Sequence, residues 1–155
     1  MDLYLLLAKG GPILRNSSSG VTVLTIHAVS QVAKEFNLLP ADVLADRGVS
    51  ESRLLEWRDQ LRAASNAVDQ LEDRQPLRTR VLESGVSVSI PGVAGRVASD
   101  VTISDPEILF GVVEDAVRIL GSRELFLRTG FSVDEVMNAA SVIAETVADD
   151  VTRED

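Results

Sequence analysis

Histidine occurs once in the 155 residues, at position 27, and cysteine does not occur at all. The missing thiols remove disulfides, thiolate nucleophiles and thiolate-bound metals from the possible chemistry. His27 sits among the apolar residues Val21 to Val29, where a hydrogen-bonded histidine at the core boundary is expected rather than a catalytic base. A metal site would have to be built from carboxylates, as for Mg²⁺ or Ca²⁺. Asp100, Asp105 and Glu107 are close in sequence, but Asp105 is expected as a helix cap and the spacing of a calcium loop is absent. Glu114-Asp115 and Asp149-Asp150 are adjacent pairs on predicted helices, where neighbours point about 100° apart instead of converging. Both pairs are expected on solvated faces. Gly92 and Gly95 lie between two predicted strands, where a tight turn accounts for them. The sequence therefore predicts no catalytic residue, no cofactor and no metal, and an enzyme is not expected.

The elements that would position these residues are mostly helical. A fold of the mainly α class with a small β-hairpin is expected, an α+β helical bundle with a possible trihelical N-terminal unit. Val29, Val32, Ala33 and Phe36 share a helical face, while Val21 to Ile26 is ambiguous between a strand and a helix start. Leu39-Pro40 forces a break, and Pro40 to Arg47 reads as a short helix closed by Gly48. Ser50 is a plausible cap for the helix that follows. Leu54, Trp57, Leu61, Ala64, Val68 and Leu71 then recur at spacings of three and four, forming an a/d seam through three heptads before Pro76. A seam of this kind needs a partner helix, from the same chain or from another. Leu77 to Glu83 reads as a further helical turn or two.

Val86, Val88 and Ile90 alternate with serines, and Pro91 to Gly95 supplies turn chemistry before Val97, Val101 and Ile103. This predicts a hairpin over 85–104, with residues 21–26 available as a third strand. Asp105-Pro106 starts a helix with an apolar face running to Gly121. Ser132 and Glu135 have capping-box spacing, with Phe131 placed to staple onto Val136. The last helix is expected to bury Val136, Ala140, Ile143 and Val147.

Three segments are expected: an N-terminal arm and Ser-rich hinge over 1–20, a helical unit over 21–84, and a hairpin with an acidic two-helix module over 85–155. The arm carries Leu3, Tyr4, Leu5, Leu6 and Leu7, a run too apolar to be left in water and too short to span a bilayer. Asp2 follows the initial methionine where an export signal would be basic, so a cytoplasmic location without membrane contact is expected. Of the net charge of −9, residues 85–155 contribute five basic and thirteen acidic side chains. Such a surface repels phosphate backbones, so any nucleic-acid contact must come from the N-terminal half.

One likeness falls in that half. Gln31 to Phe36, then Gly48-Val-Ser-Glu-Ser52 with Leu54, Trp57 and Arg58, resembles the helix-turn-helix of small transposase subunits and similar regulators. The resemblance covers about 30 residues within 31–62. It implies a core role for Leu54 and Trp57, and contacts to the major groove or phosphates from Ser50, Ser52, Arg53 and Arg58. Across Glu51 to Arg62, however, Glu51, Glu56 and Asp59 balance Arg53, Arg58 and Arg62, which offers little counterion release.

Two functions follow as expectations. The first is a non-catalytic protein-interaction subunit, a structural component of a homo- or hetero-oligomeric assembly. Its contacts would be the seam of Leu54, Trp57, Leu61, Val68 and Leu71 and the N-terminal arm. The second is a small helix-turn-helix DNA-binding regulator using residues 28–62.

Overall fold

The computed structural model describes residues 15–17, 20–93 and 95–154, with side chains for 20–93 and 95–147. The apolar arm at Leu3 to Leu7 lies outside the described residues. The elements are mainly helical with a small antiparallel sheet, as the patterning predicts.

The first helix, α1, spans Val23–Ala33. Thr22 caps it through a reciprocal box with Thr25, so residues 21–26 are a helix start and not a third strand. A short 3₁₀ turn at Phe36–Leu38 and the break at Leu39-Pro40 lead to α2, Ala41–Asp46. Helix α3 spans Glu51–Ala67 and is capped by the Ser50 hydroxyl, which accepts from the Arg53 amide at 3.2 Å.

Helix α3 ends before the heptad pattern does, because the following chain is drawn to the start of α1. There the carbonyls of Gln75 and Asp73 accept from the amides of Val23 and Leu24 at 3.1 and 2.9 Å. These are two of the donors that a helix start leaves without an intrahelical partner. Leu71 therefore lies in a loop beyond the helix, partly buried against the core.

The sheet has the order β1-β2-β3-β4, all antiparallel: β1 Arg15–Ser17, β2 Arg78–Leu82, β3 Gly85–Ile90 and β4 Ser99–Ser104. The β3–β4 hairpin matches expectation, with Val86 opposite Ile103 and Val88 opposite Val101. Val97 falls in the connecting loop, exposed, and not in a strand. The segment read as helical after Pro76 is instead β2, whose Thr79 and Val81 face Val88 and Val86 across the ladder. Part of the presumed hinge is likewise strand, with Asn16 opposite Arg80. Two strands would be marginal alone, and four strands with an apolar face give the helices a surface to cover.

Helix α4 runs over Pro106–Thr129 and α5 over Val133–Glu154. Helix α4 does not stop at Gly121. That glycine takes φ 80° and ψ 161°, a conformation that breaks the hydrogen-bond ladder, and a second helical stretch resumes after it. The capping box of α5 forms as predicted: the Glu135 amide donates to Ser132 Oγ at 3.2 Å and the Ser132 amide to Glu135 Oε1 at 3.0 Å. Val136, Ala140 and Ile143 are buried, and α5 lies against α1, α4 and the sheet. One apolar core includes Val21, Leu61, Val88, Val113 and Ile143, so all these elements meet in it.

Candidate functional site

The predicted seam is buried within its own chain. Leu54, Trp57, Leu61 and Val68 join the core, where α3 packs on α1 and β4. Helix α3 also closes the outer edge of β4. Trp57 Nε1 donates to the Ser104 carbonyl at 2.6 Å, the Ser104 amide donates to Gln60 Oε1 at 2.9 Å, and Gln60 Nε2 donates to Ser104 Oγ at 2.8 Å. A side-chain amide thus replaces the next strand at the point where an unpaired edge would otherwise begin.

The four candidate DNA contacts are differently employed. Ser50 caps α3, and Ser52 is exposed. Arg53 pairs with Glu56 at 3.3 Å and with Asp105, and lies 5.5 Å from the Trp57 ring centre. The Asp105 carboxylate is therefore held by Arg53 and does not cap α4, although Asp105 occupies the cap position with φ 40°. Arg62 is paired with Asp59 at 2.6 Å. Arg58 has no ion pair among the described residues. Leu55, on the outward side of the same helix, is exposed.

Asp115 departs most from expectation. It is buried, with 3% of its side chain exposed, because Arg47 at the end of α2 reaches across to α4. Arg47 donates from Nε to Oδ2 and from Nη2 to Oδ1, the latter at 3.0 Å, and Arg118 adds a third donor. The hydrogen bond from Arg47 holds the Asp115 carboxyl below the usual carboxylate range, outweighing the opposing effect of burial, and raises the Arg47 guanidinium above its own. Glu114 stays on the solvated face, as expected. A local signal existed in Gly111, one turn before Asp115, which leaves room for something large to cross the helix.

Between α1 and α3 runs a polar strip. His27 Nδ1 and Ser65 Oγ share a hydrogen bond of 2.7 Å, so His27 is engaged at the core boundary. Further along, Ser30, Lys34, Arg58 and Arg62 line a cleft of about 220 Å³.

Sequence reasoning also passed over residues 122–129. Only Leu125 and Thr129 of this stretch are buried, and Phe126 and Leu127 are 56% and 64% exposed. Arg123 is exposed beside them, and Arg128 pairs with Glu124 at 3.2 Å and Glu35 at 3.1 Å. No helix among the described residues is long and apolar enough to cross a membrane, and no three metal-binding side chains converge among them. No protein-family model matches the chain, and neither does any curated protein or solved structure.

Proposed function

We propose that this chain is a non-catalytic protein-interaction subunit of an oligomeric assembly, whose first partner is a second copy of itself. The observation that carries the reading is the exposed pair Phe126 and Leu127. The chain holds only four phenylalanines, and one of them stands in water beside a leucine on a stretch of helix that buries little else. An apolar centre ringed by Arg123, Glu124 and Arg128 has the make-up of an interface core with its polar rim. The heptad seam contributes nothing to this surface, since its side chains fill the protein's own core.

Sedimentation velocity across a wide concentration range tests the proposal. The expected result is a mass above the monomer that rises with concentration and reverts to monomer in the Phe126→Asp, Leu127→Asp double variant with an unchanged circular dichroism spectrum. A monomer at every concentration overturns it.

The DNA-binding regulator ranks second. In its favour stands Arg58, which has no ion pair among the described residues. Against it stand the internal pairing of Arg53 and Arg62 and the capping role of Ser50. Fluorescence anisotropy with a labelled duplex at low and moderate salt checks it. Salt-sensitive binding lost in Arg58→Ala would place it first.

A further inference from the structure

The cleft between α1 and α3 gathers cations in a strongly acidic chain. The two helices run antiparallel across the His27–Ser65 hydrogen bond. One turn along from that contact, Ser30 on α1 and Arg62 on α3 both border the cleft, and one turn further Lys34 and Arg58 do. Carboxylates nearby are few. Asp59 is paired with Arg62 at 2.6 Å, and Glu35 is drawn away to Arg128 at 3.1 Å. Among the described residues, Lys34 makes only a 3.3 Å hydrogen bond to the oxygen of the neutral Gln31 amide. Among the described residues no carboxylate lines the cleft itself, Asp59 being held by Arg62 and Glu51 lying with Arg58 in a neighbouring cleft.

A second observation is independent of charge. Ser30 is 4% exposed and lines the cleft, yet its hydroxyl makes no hydrogen bond to any described residue. Its oxygen is not sealed off from the cleft, since Arg80 Nε is the one buried side-chain polar atom without a partner among the described residues, so the hydroxyl is free to pair with what enters. Arg58 is half-buried and likewise has no ion pair or hydrogen bond among the described residues.

We infer that this cleft is an oxyanion site that takes the phosphoryl group of a small phosphorylated ligand. A floor hydroxyl with guanidinium and ammonium groups on both walls can donate to a tetrahedral group from several sides. Arginine is suited to the paired donation that phosphate oxygens accept. The depth of Ser30 and the volume of about 220 Å³ select a small ligand over a duplex, whose backbone cannot descend between two packed helices.

The test is a ¹H–¹⁵N NMR titration of the intact chain at low ionic strength with inorganic phosphate and with glycerol 3-phosphate, using sodium chloride as the ionic control. Saturable shifts centred on residues 30–34 and 58–62 are expected with both phosphates and not with chloride. Arg58→Ala is expected to weaken binding roughly tenfold, Arg58→Lys less, and Ser30→Ala severalfold. Arg58 makes no ion pair or hydrogen bond among the described residues, so its loss should leave the fold intact, with other shifts confined to the apolar neighbours of its stem, Phe36 and Leu54. Absence of saturable shifts, shifts that survive Arg58→Ala, or equal shifts with chloride would each overturn the inference. Tighter Arg58-dependent binding of a duplex that phosphate does not displace would also overturn it, in favour of the nucleic-acid reading.

Discussion

The Arg47 guanidinium holds the buried carboxylate of Asp115 across the junction of α2 and α4, 68 residues away in sequence. The two partners are unequally placed, since a third of the Arg47 side chain is exposed and 3% of Asp115 is. Removing the arginine leaves a buried charge with only Arg118 for compensation, whereas removing the carboxylate leaves a cation that water can reach. Arg47→Ala is therefore expected to lower stability by about 3 kcal/mol, and Asp115→Asn by about half as much. Urea denaturation of the two variants checks the order, and equal losses would contradict it.

The same pair sets an acid limb. The folded Asp115 carboxyl titrates below its ordinary value of about 3.9, so its contribution is complete above that value and disappears as pH falls through the lower folded one. The stability difference between the native chain and Asp115→Asn should be flat from neutral pH to about pH 5 and shrink below about pH 4. Chemical denaturation at a series of pH values measures this, and a difference that shrinks on the alkaline side would contradict the assignment.

Gly111 makes room for the clamp. A methyl group there would sit 2.8 Å from Arg47 Cζ, too close for the guanidinium to stay over the helix. Glycine to alanine inside a helix ordinarily stabilises by roughly 0.5–1 kcal/mol. Here Gly111→Ala is expected to destabilise by about 1–2 kcal/mol in the native chain and to stabilise in an Arg47→Ala background. That reversal of sign, read from a double-mutant cycle, is specific to the contact.

Local signals were legible in the sequence, and distant partnerships were not. The Ser50 cap and the Ser132–Glu135 box each depend on residues within a few positions, and each forms. Strand β2 alternates as Arg-Thr-Arg-Val-Leu, too polar a pattern to announce a strand, and it becomes one by pairing with β3. Asp115 looked like a surface acid because its arginine lies in another element. Of the cleft residues, the charges on α3 were visible. The joining of Arg58 and Arg62 to Ser30 and Lys34 required the antiparallel docking of α1 on α3.

The box at the start of α5 should behave as a local unit. Ser132→Ala leaves the Glu135 amide without its acceptor at an exposed helix end, and a loss of about 1 kcal/mol is expected. Glu135→Ala removes only the return bond to the Ser132 amide and should cost less. Thermal unfolding of both variants measures the difference, and a larger effect from Glu135→Ala would mean that its side chain does something beyond capping.

Trp57 and Gln60 close the edge of β4 by different means, and two substitutions separate them. Trp57→Phe retains most of the buried ring but removes the donor to the Ser104 carbonyl, leaving that oxygen buried and unpaired at an expected cost of about 2 kcal/mol. Gln60 is half-buried and water can take its place, so Gln60→Ala should cost about 1 kcal/mol or less. Hydrogen exchange at the Ser104 amide distinguishes the roles. That amide donates to Gln60 and not to Trp57, so its protection should fall in Gln60→Ala out of proportion to the loss of global stability, and in Trp57→Phe only in step with it. An equal local response in both variants would mean that α3 guards the edge by packing alone and that the side-chain amide does not stand in for a fifth strand.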